Sequence, residues 1–130
     1  MNAKVKNPFG WLEIYVDDIT RAQKFYETVL QIKMVNMKMP EGMENMQMIS
    51  FPWNEAEGGI SGALVKMENM KPGAGGTLAY FSCEDCSEEI ARVTNAGGIV
   101  YQEKFSIGDY GYCGICADTE GNSIGFHSMK

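Results

Sequence analysis

Histidine is the scarcest reactive side chain in this sequence of 130 residues, where His127 is the single example. With one imidazole, and with no serine in a nucleophile elbow, the sequence does not support a hydrolase triad. Phosphate-binding loops are missing as well. The Gly-rich segment 71–76 lacks a following Lys-Ser or Lys-Thr, and segment 106–111 leads into a predicted strand, so no helix N-terminus is available to bind an anion.

Basic clusters and long apolar runs are also absent. The chain has 11 Lys and Arg against 17 Asp and Glu, a net charge of -6, so we expect neither nucleic acid nor an anionic membrane surface as a partner. No apolar run approaches the roughly 20 residues of a membrane span, and the first residues lack the apolar stretch of a secretion signal. We therefore expect a cytoplasmic protein that forms one domain, residues 1–130.

Four cysteines form two Cys-x-x-Cys pairs, Cys83 with Cys86 and Cys113 with Cys116, a spacing that zinc ribbons use. Both pairs lie in strand-like sequence rather than on tight knuckles. Residues three apart on a strand point to opposite faces, so Cys113 and Cys116 are not expected to hold one ion. We expect four small buried thiols in a reducing compartment.

The two halves of the chain share one plan, in which a strand, an acidic pair, a helix and three short strands follow one another. Asp17 and Asp18 in the first half correspond to Glu84 and Asp85 in the second. Thr20 and Ser87 are the expected helix caps. The first predicted helix carries one apolar stripe: Ala22, Phe25, Tyr26, Val29 and Leu30. The pattern predicts an α+β fold of two tandem βαβββ modules, about 9–68 and 77–128, joined by a Pro- and Gly-rich linker at about 69–76.

This plan, with the acidic pair leading into "RAQKFYETVL" and the ending "DTEGNSIGFH", resembles the vicinal oxygen chelate superfamily. That superfamily includes glyoxalase I, bleomycin and fosfomycin resistance proteins and extradiol dioxygenases, and the resemblance spans about 9–127. It implies that the two modules form an incomplete mixed β-barrel, often in a homodimer, whose interior holds a metal or a small-molecule ligand. Two functions follow as expectations: a lyase-, isomerase- or dioxygenase-like enzyme, or a binding protein of the resistance type without turnover.

In metal-using members of the superfamily, His or Glu ligands arise near the start of each module's first strand and on each module's last strand. Here the first-strand places fall on Trp11 and Leu78, and the last-strand places fall on Gly125 and on Ser61 or Gly62. None of these residues is a histidine or a glutamate. The resemblance therefore does not carry a four-ligand metal site to this chain.

Three polar residues lie two positions further along the same strands, share the faces of those places, and should all point into one cavity: Glu13, Tyr80 and His127. As catalytic residues, Glu13 would be a base, His127 its partner or the acid, and Tyr80 a donor to an oxygen that develops negative charge. Alternatively, Glu13 and His127 would form a two-ligand site for zinc, nickel, manganese or iron. In the simplest alternative they only hydrogen-bond each other.

Further ligand contacts are expected around the same cavity, from Trp11, Tyr15, Leu78, Ser82, Tyr112 and Trp53. Six of the ten methionines fall within 34–48. They would form either an adaptable wall for an apolar ligand or two half-buried strands with one face toward a dimer partner. A third alternative is an interaction module that binds no ligand. Its cavity would be collapsed and filled by the aromatic side chains named above.

Overall fold

The computed structural model describes residues 7–9 and 11–130, and within them two sets of elements follow the same order. The first set is β1 (Trp11–Tyr15), α1 (Ile19–Leu30), β2 (Val35–Met37), β3 (Gln47–Ser50) and β4 (Ser61–Lys66). The second set is β5 (Ala79–Ser82), α2 (Cys86–Val93), β6 (Ile99–Ser106), β7 (Tyr112–Ala117) and β8 (Ser123–Ser128). Short 3-10 turns lie at Glu55–Glu57 and Gly108–Tyr110.

Each set of strands forms one four-stranded mixed sheet. The first sheet has the order β1-β4-β3-β2 and the second the order β5-β8-β7-β6. In both, the first strand of the module pairs parallel with the last, and the other neighbours are antiparallel. The predicted tandem βαβββ fold is confirmed. No strand pairing between the two sheets closes a barrel within the described residues.

The acidic pairs begin both helices. The Asp18 carboxylate accepts a hydrogen bond from the Arg21 amide at 3.0 Å, and the Asp85 carboxylate accepts one from the Ser87 amide at 3.0 Å. The expected caps Thr20 and Ser87 were therefore wrong, because each helix starts at the aspartate that ends its acidic pair. A side-chain oxygen at this position satisfies an amide that has no partner within the helix.

One hydrophobic core joins the buried faces of both helices to one face of each sheet. Its fully buried side chains come from both modules: Val16, Ala22, Phe25, Tyr26, Val29, Leu64, Cys86, Val93, Cys116 and Phe126. Aromatic rings connect the modules through this core, since Tyr26 contacts both Phe51 and Phe81, and Phe81 contacts Phe126. Each sheet therefore has one face buried in the core and leaves its opposite face outside it.

A polar network at the β7–β8 turn fixes the second module against the first. Asp118, which is 4% exposed, accepts a hydrogen bond from the Tyr26 hydroxyl at 2.6 Å. The buried carboxylate of Glu120 accepts from the Arg21 guanidinium at 2.7 Å and from the amides of Asp17 and Asp18. Burial alone would raise the pKa of Glu120, but the bonds from Arg21 and the backbone amides outweigh it and lower the pKa to about 2.

All four cysteines are free thiols, and three of them are buried while Cys83 is half-buried. As the strand alternation predicts, Cys116 lies in the core and Cys113 faces the other side of its sheet. Burial raises the pKa of Cys83 to about 12 and that of Cys116 to about 11. Neither described helix is long and apolar enough to cross a bilayer.

Candidate functional site

The outer face of the first sheet carries the first row of predicted site residues. Leu12 and Ile14 pack against the core, so Trp11, Glu13 and Tyr15 lie on the opposite face of β1. The Glu13 carboxylate accepts hydrogen bonds from the Tyr15 hydroxyl at 2.8 Å and from the Trp11 indole N–H at 3.1 Å. The bond to this carboxylate raises the pKa of Tyr15.

Glu13 and Tyr15 line a cleft of about 340 Å³ between β1 and the linker. Linker residues within 73–77 and the start of β8 also line this cleft. Asn122 holds this region in place, because its amide nitrogen donates to the Tyr15 carbonyl at 2.9 Å and its amide oxygen accepts from the Gly73 amide at 2.9 Å. Trp11 and Tyr15, which lie on the same strand as Glu13, orient its carboxylate.

The outer face of the second sheet carries a larger hollow of about 630 Å³. Its lining comes from all four strands of that sheet and the turn after β6: Tyr80, Ser82, Phe105, Ile107, Cys113 and His127. Ser82, His127 and Cys113 lie side by side, because Ser82 pairs with His127 across β5 and β8, and His127 pairs with Cys113 across β8 and β7. No acidic, lysine or arginine side chain is in this lining.

His127 is bound to the turn that connects β6 and β7. Its Nε2 atom lies 2.6 Å from the backbone carbonyl oxygen of Tyr110. A carbonyl only accepts hydrogen bonds, so Nε2 must donate and must carry the proton. Within the described residues, this is the single hydrogen bond made by the imidazole.

Tyr80 forms the wall of the hollow against β8. A Cβ atom added at Gly125 would lie 2.4 Å from Cδ1 of Tyr80, so the tyrosine ring rests on the glycine backbone. The ring remains 48% exposed and is therefore accessible to a ligand. An aromatic ring packed on a glycine in this way presents its other face to the cavity.

The structure places the predicted catalytic residues in two separate cavities. Glu13 belongs to the first sheet and His127 with Tyr80 to the second. Glu13 and His127 have other hydrogen-bond partners, and no hydrogen bond joins them to each other in the described chain. The simplest alternative predicted a hydrogen bond between Glu13 and His127. This bond does not form within one chain.

The remaining predicted ligand contacts lie outside the lining of the hollow of the second sheet. Trp53 lines a different surface hollow, formed by segment 52–60. Leu78 lies just before β5 and is exposed. Tyr112 turns to the core side of β7, where Lys104 lies 4.6 Å from its ring centroid. Their predicted contacts with a ligand stay predictions.

Three residues of the hollow did not emerge from the sequence as site residues. Phe105 and Ile107 follow two register shifts in β6, between Val100 and Gln102 and between Gln102 and Phe105. Such irregularities change which side chains share a face, so alternation did not find them. Cys113 is a buried thiol, as the sequence predicts, and strand alternation alone does not mark such a thiol as a site residue.

The residues at the metal-ligand places of the superfamily do not fit a metal ion. Glu13 pairs with Ala63 as Tyr80 pairs with Gly125, so the place on β4 that matches Gly125 is Ala63, rather than Ser61 or Gly62. The four places are then Trp11, Leu78, Ala63 and Gly125, none with a side chain that ligates metals. Across the described residues, no three His, Cys, Asp or Glu side chains are grouped as an ion would require.

Comparison with known proteins agrees with this architecture. Residues 9–126 match the family described as Glyoxalase/Bleomycin resistance protein/Dioxygenase superfamily. No curated protein matches the chain.

Solved structures with the same fold include proteins with different activities. The antibiotic binding protein TnmS3 from Streptomyces sp. CB03234 is 20% identical, with 97% of this chain and 98% of that chain covered and a TM-score of 0.69. The trypanothione-dependent glyoxalase I of Leishmania major is 17% identical, with 95% and 88% covered and a TM-score of 0.70. A glyoxalase I variant from Zea mays is 15% identical, with 98% of this chain but 49% of that chain covered and a TM-score of 0.70.

Proposed function

The chain belongs to the Glyoxalase/Bleomycin resistance protein/Dioxygenase superfamily, and from that premise we propose that it binds a small, partly aromatic molecule in the hollow of the second sheet. The observation that carries the proposal is the hollow itself, about 630 Å³ with Tyr80 as an exposed aromatic wall. Such a volume accommodates a ligand of ordinary small-molecule size. The structural likeness to an antibiotic binding protein is consistent with this function.

The chemistry of the lining supports binding by stacking and apolar contact. Tyr80, Phe105 and Ile107 contribute apolar surface, while Ser82 and His127 add a few polar atoms. Aromatic rings contribute about 0.5–1.5 kcal/mol per pair beyond the area that they bury. Since no acidic, lysine or arginine side chain lines the hollow, an uncharged ligand fits it best.

We propose further that a second copy of the chain completes the site. Trp11 on the outer face of the first sheet is 44% exposed, and Tyr80 on the outer face of the second is 48% exposed. If the first sheet of one copy covers the second sheet of the other, both faces lose solvent contact and the hollow becomes enclosed. In that arrangement the outer face that carries Glu13 in one copy would lie opposite the outer face that carries His127 in the other.

A second candidate function is proton transfer on the bound molecule. Trp11 and Tyr15 hold the Glu13 carboxylate in one orientation on the outer face, as a general base requires. Tyr80 would donate to an oxygen that gains negative charge, and His127 would be the acid. The predicted two-ligand site for zinc, nickel, manganese or iron belongs to this candidate, and elemental mass spectrometry of the purified protein tests it.

The proposed function is tested by a thermal-shift screen of uncharged aromatic compounds, repeated on Tyr80→Leu. A ligand present at 100 times its Kd should stabilise the wild type by about 2.7 kcal/mol. We expect the hits to lose most of this stabilisation in Tyr80→Leu and to keep it in the control Tyr101→Leu, an exposed tyrosine outside the hollow. Hits that stabilise all three proteins equally would place binding elsewhere and refute the proposal.

A compound that binds should also be followed for chemical change. Turnover that Glu13→Gln abolishes would select the enzyme over the binding protein. Tight binding without turnover would select the binding protein.

A further inference from the structure

The hydrogen bond between His127 and the Tyr110 carbonyl determines what else the imidazole can do. Because Nε2 carries the proton in this bond, Nδ1 of the neutral ring carries a lone pair and acts as an acceptor. None of the described residues donates to His127. His127 lines the hollow, and its Nδ1 is therefore an acceptor without a partner among the described residues of the chain.

The turn that presents the Tyr110 carbonyl is held at several points. The Ile107 amide donates to the Gly111 carbonyl at 2.8 Å, and the Gly111 amide donates to the Gly108 carbonyl at 3.2 Å. Gly111 lies against the end of β8, where a Cβ would be 2.3 Å from the Ser128 carbonyl oxygen. The carbonyl that orients His127 is thus part of a fixed turn.

The other polar groups of the hollow do not compete for this acceptor. Neither the Ser82 hydroxyl, the Tyr80 hydroxyl nor the Cys113 thiol donates a hydrogen bond to His127. The part of the lining that one chain supplies has no carboxylate to bind a cation and no lysine or arginine to bind an anion. A bound molecule that lacks a hydrogen-bond donor would bury Nδ1 without a partner, which carries a desolvation cost.

We infer that the hollow selects uncharged planar ligands that carry a phenolic hydroxyl or a ring N–H, which donates to Nδ1 of His127 while the ring stacks on Tyr80. Tyr110 acts here as a positioning residue, because its carbonyl fixes the tautomer of His127 and does not contact the ligand's donor. This inference rests on the proposed function, and it specifies the ligand class of the same site.

The first test reads the tautomer directly. His127 is the single histidine of the chain, so its two ring nitrogens give unambiguous signals in a long-range proton–nitrogen correlation spectrum. At about pH 8, where an ordinary imidazole is neutral, we expect the pattern of the Nε2–H tautomer. A spectrum of the Nδ1–H tautomer would overturn the inference.

The second test compares 2-naphthol with 2-methoxynaphthalene, two planar compounds of which only the first donates a hydrogen bond. We expect 2-naphthol to bind about five to ten times more tightly to the wild type, which is the range of one net hydrogen bond. In His127→Gln, whose amide reaches the Nε2 position, this preference should disappear. In His127→Asn, whose amide lies near the Nδ1 position, it should be partly retained.

The outcomes separate the inference from the function on which it rests. If both compounds bind the wild type equally, the hollow is a binding site, but the inferred preference for ligands with a hydrogen-bond donor is wrong. If neither binds, the proposed binding of uncharged aromatic molecules fails and the inference fails with it. If the preference survives unchanged in His127→Gln, another group recognises the donor and the inference is refuted.

Discussion

At the scale of single residues, the site depends on the absence of a side chain at Gly125. The Tyr80 ring occupies the space where the Cβ of any other residue would stand, 2.4 Å from Cδ1 of the ring. A place where a metal ligand would lie in metal-using members of the superfamily is thus covered by an aromatic wall. The hollow therefore has its shape because Gly125 leaves room for the Tyr80 ring.

Replacement of Gly125 with alanine should therefore damage the hollow. We expect Gly125→Ala to displace the Tyr80 ring and to weaken the binding of an aromatic ligand about tenfold, as measured by isothermal titration calorimetry. Gly73→Ala is the matched control, since a Cβ at Gly73 meets no atom within 4 Å. Equal affinities in the two variants would show that the position of Tyr80 does not matter for binding.

A second residue-scale prediction concerns Glu120 and acid stability. Its pKa is lowered from 4.5 to about 2 in the folded chain, so the folded state is stabilised above about pH 4.5 and loses this contribution as the pH falls toward 2. The shift sets an upper limit of roughly 3 kcal/mol on the contribution of Glu120 to the free energy of unfolding. Solvent screening at the half-exposed Arg21 reduces this contribution. Glu120→Gln should lower the stability at pH 7 and flatten its decline below pH 4.5 in urea titrations. A pH profile parallel to that of the exposed control Glu84→Gln would contradict this role.

At the scale of secondary-structure elements, the sequence predicted the helices and most strands because their periodicities are regular. The caps were placed two residues too late at both helices, because Thr20 and Ser87 are good caps by residue type and only the backbone shows that Asp18 and Asp85 have extended conformations. The face of β6 was not predictable, because two register shifts interrupt its alternation. Local patterns do not encode such irregularities.

The turn between β6 and β7 gives an element-scale prediction. Gly111 has φ 102° and would place a Cβ 2.3 Å from the Ser128 carbonyl oxygen, whereas Gly108 has φ 71° with no atom within 4 Å of its Cβ. Gly111→Ala should therefore lower the free energy of unfolding by roughly 2–4 kcal/mol, and Gly108→Ala by about 1 kcal/mol. Chemical denaturation measures both. Equal losses would show that contact with β8 does not hold the turn.

At the scale of the whole molecule, the two modules share one core and leave two outer faces free. Strand alternation predicted that Glu13 shares a face with Trp11 and that His127 shares a face with Gly125, but it placed Glu13 and His127 in one cavity. It could not predict that the faces lie apart in one chain, because that depends on how the helices of both modules pack together in the shared core. The predicted constellation does not form within one chain, and the proposed pairing of copies is the arrangement in which it could form.

The proposed pairing of copies predicts a dimer in solution. Sedimentation velocity should give a species of twice the chain mass of 14.4 kDa. Trp11→Glu should shift it toward the monomer, because a buried unpaired carboxylate is unfavourable in an interface. Trp53→Glu, at an exposed tryptophan on a different hollow, should leave the dimer intact. A monomeric wild type at micromolar concentration would contradict the composite site.

The central claim is that the hollow of the second sheet is the ligand site, and His127 allows its most direct measurement. The ring signals of this single histidine are followed by NMR while a compound that stabilises the protein is added. Our account predicts saturable shifts of the His127 signals with the same Kd as binding measured by calorimetry, and their loss in Tyr80→Leu. Saturable binding that leaves the His127 signals unmoved would show that the ligand site lies elsewhere on the molecule.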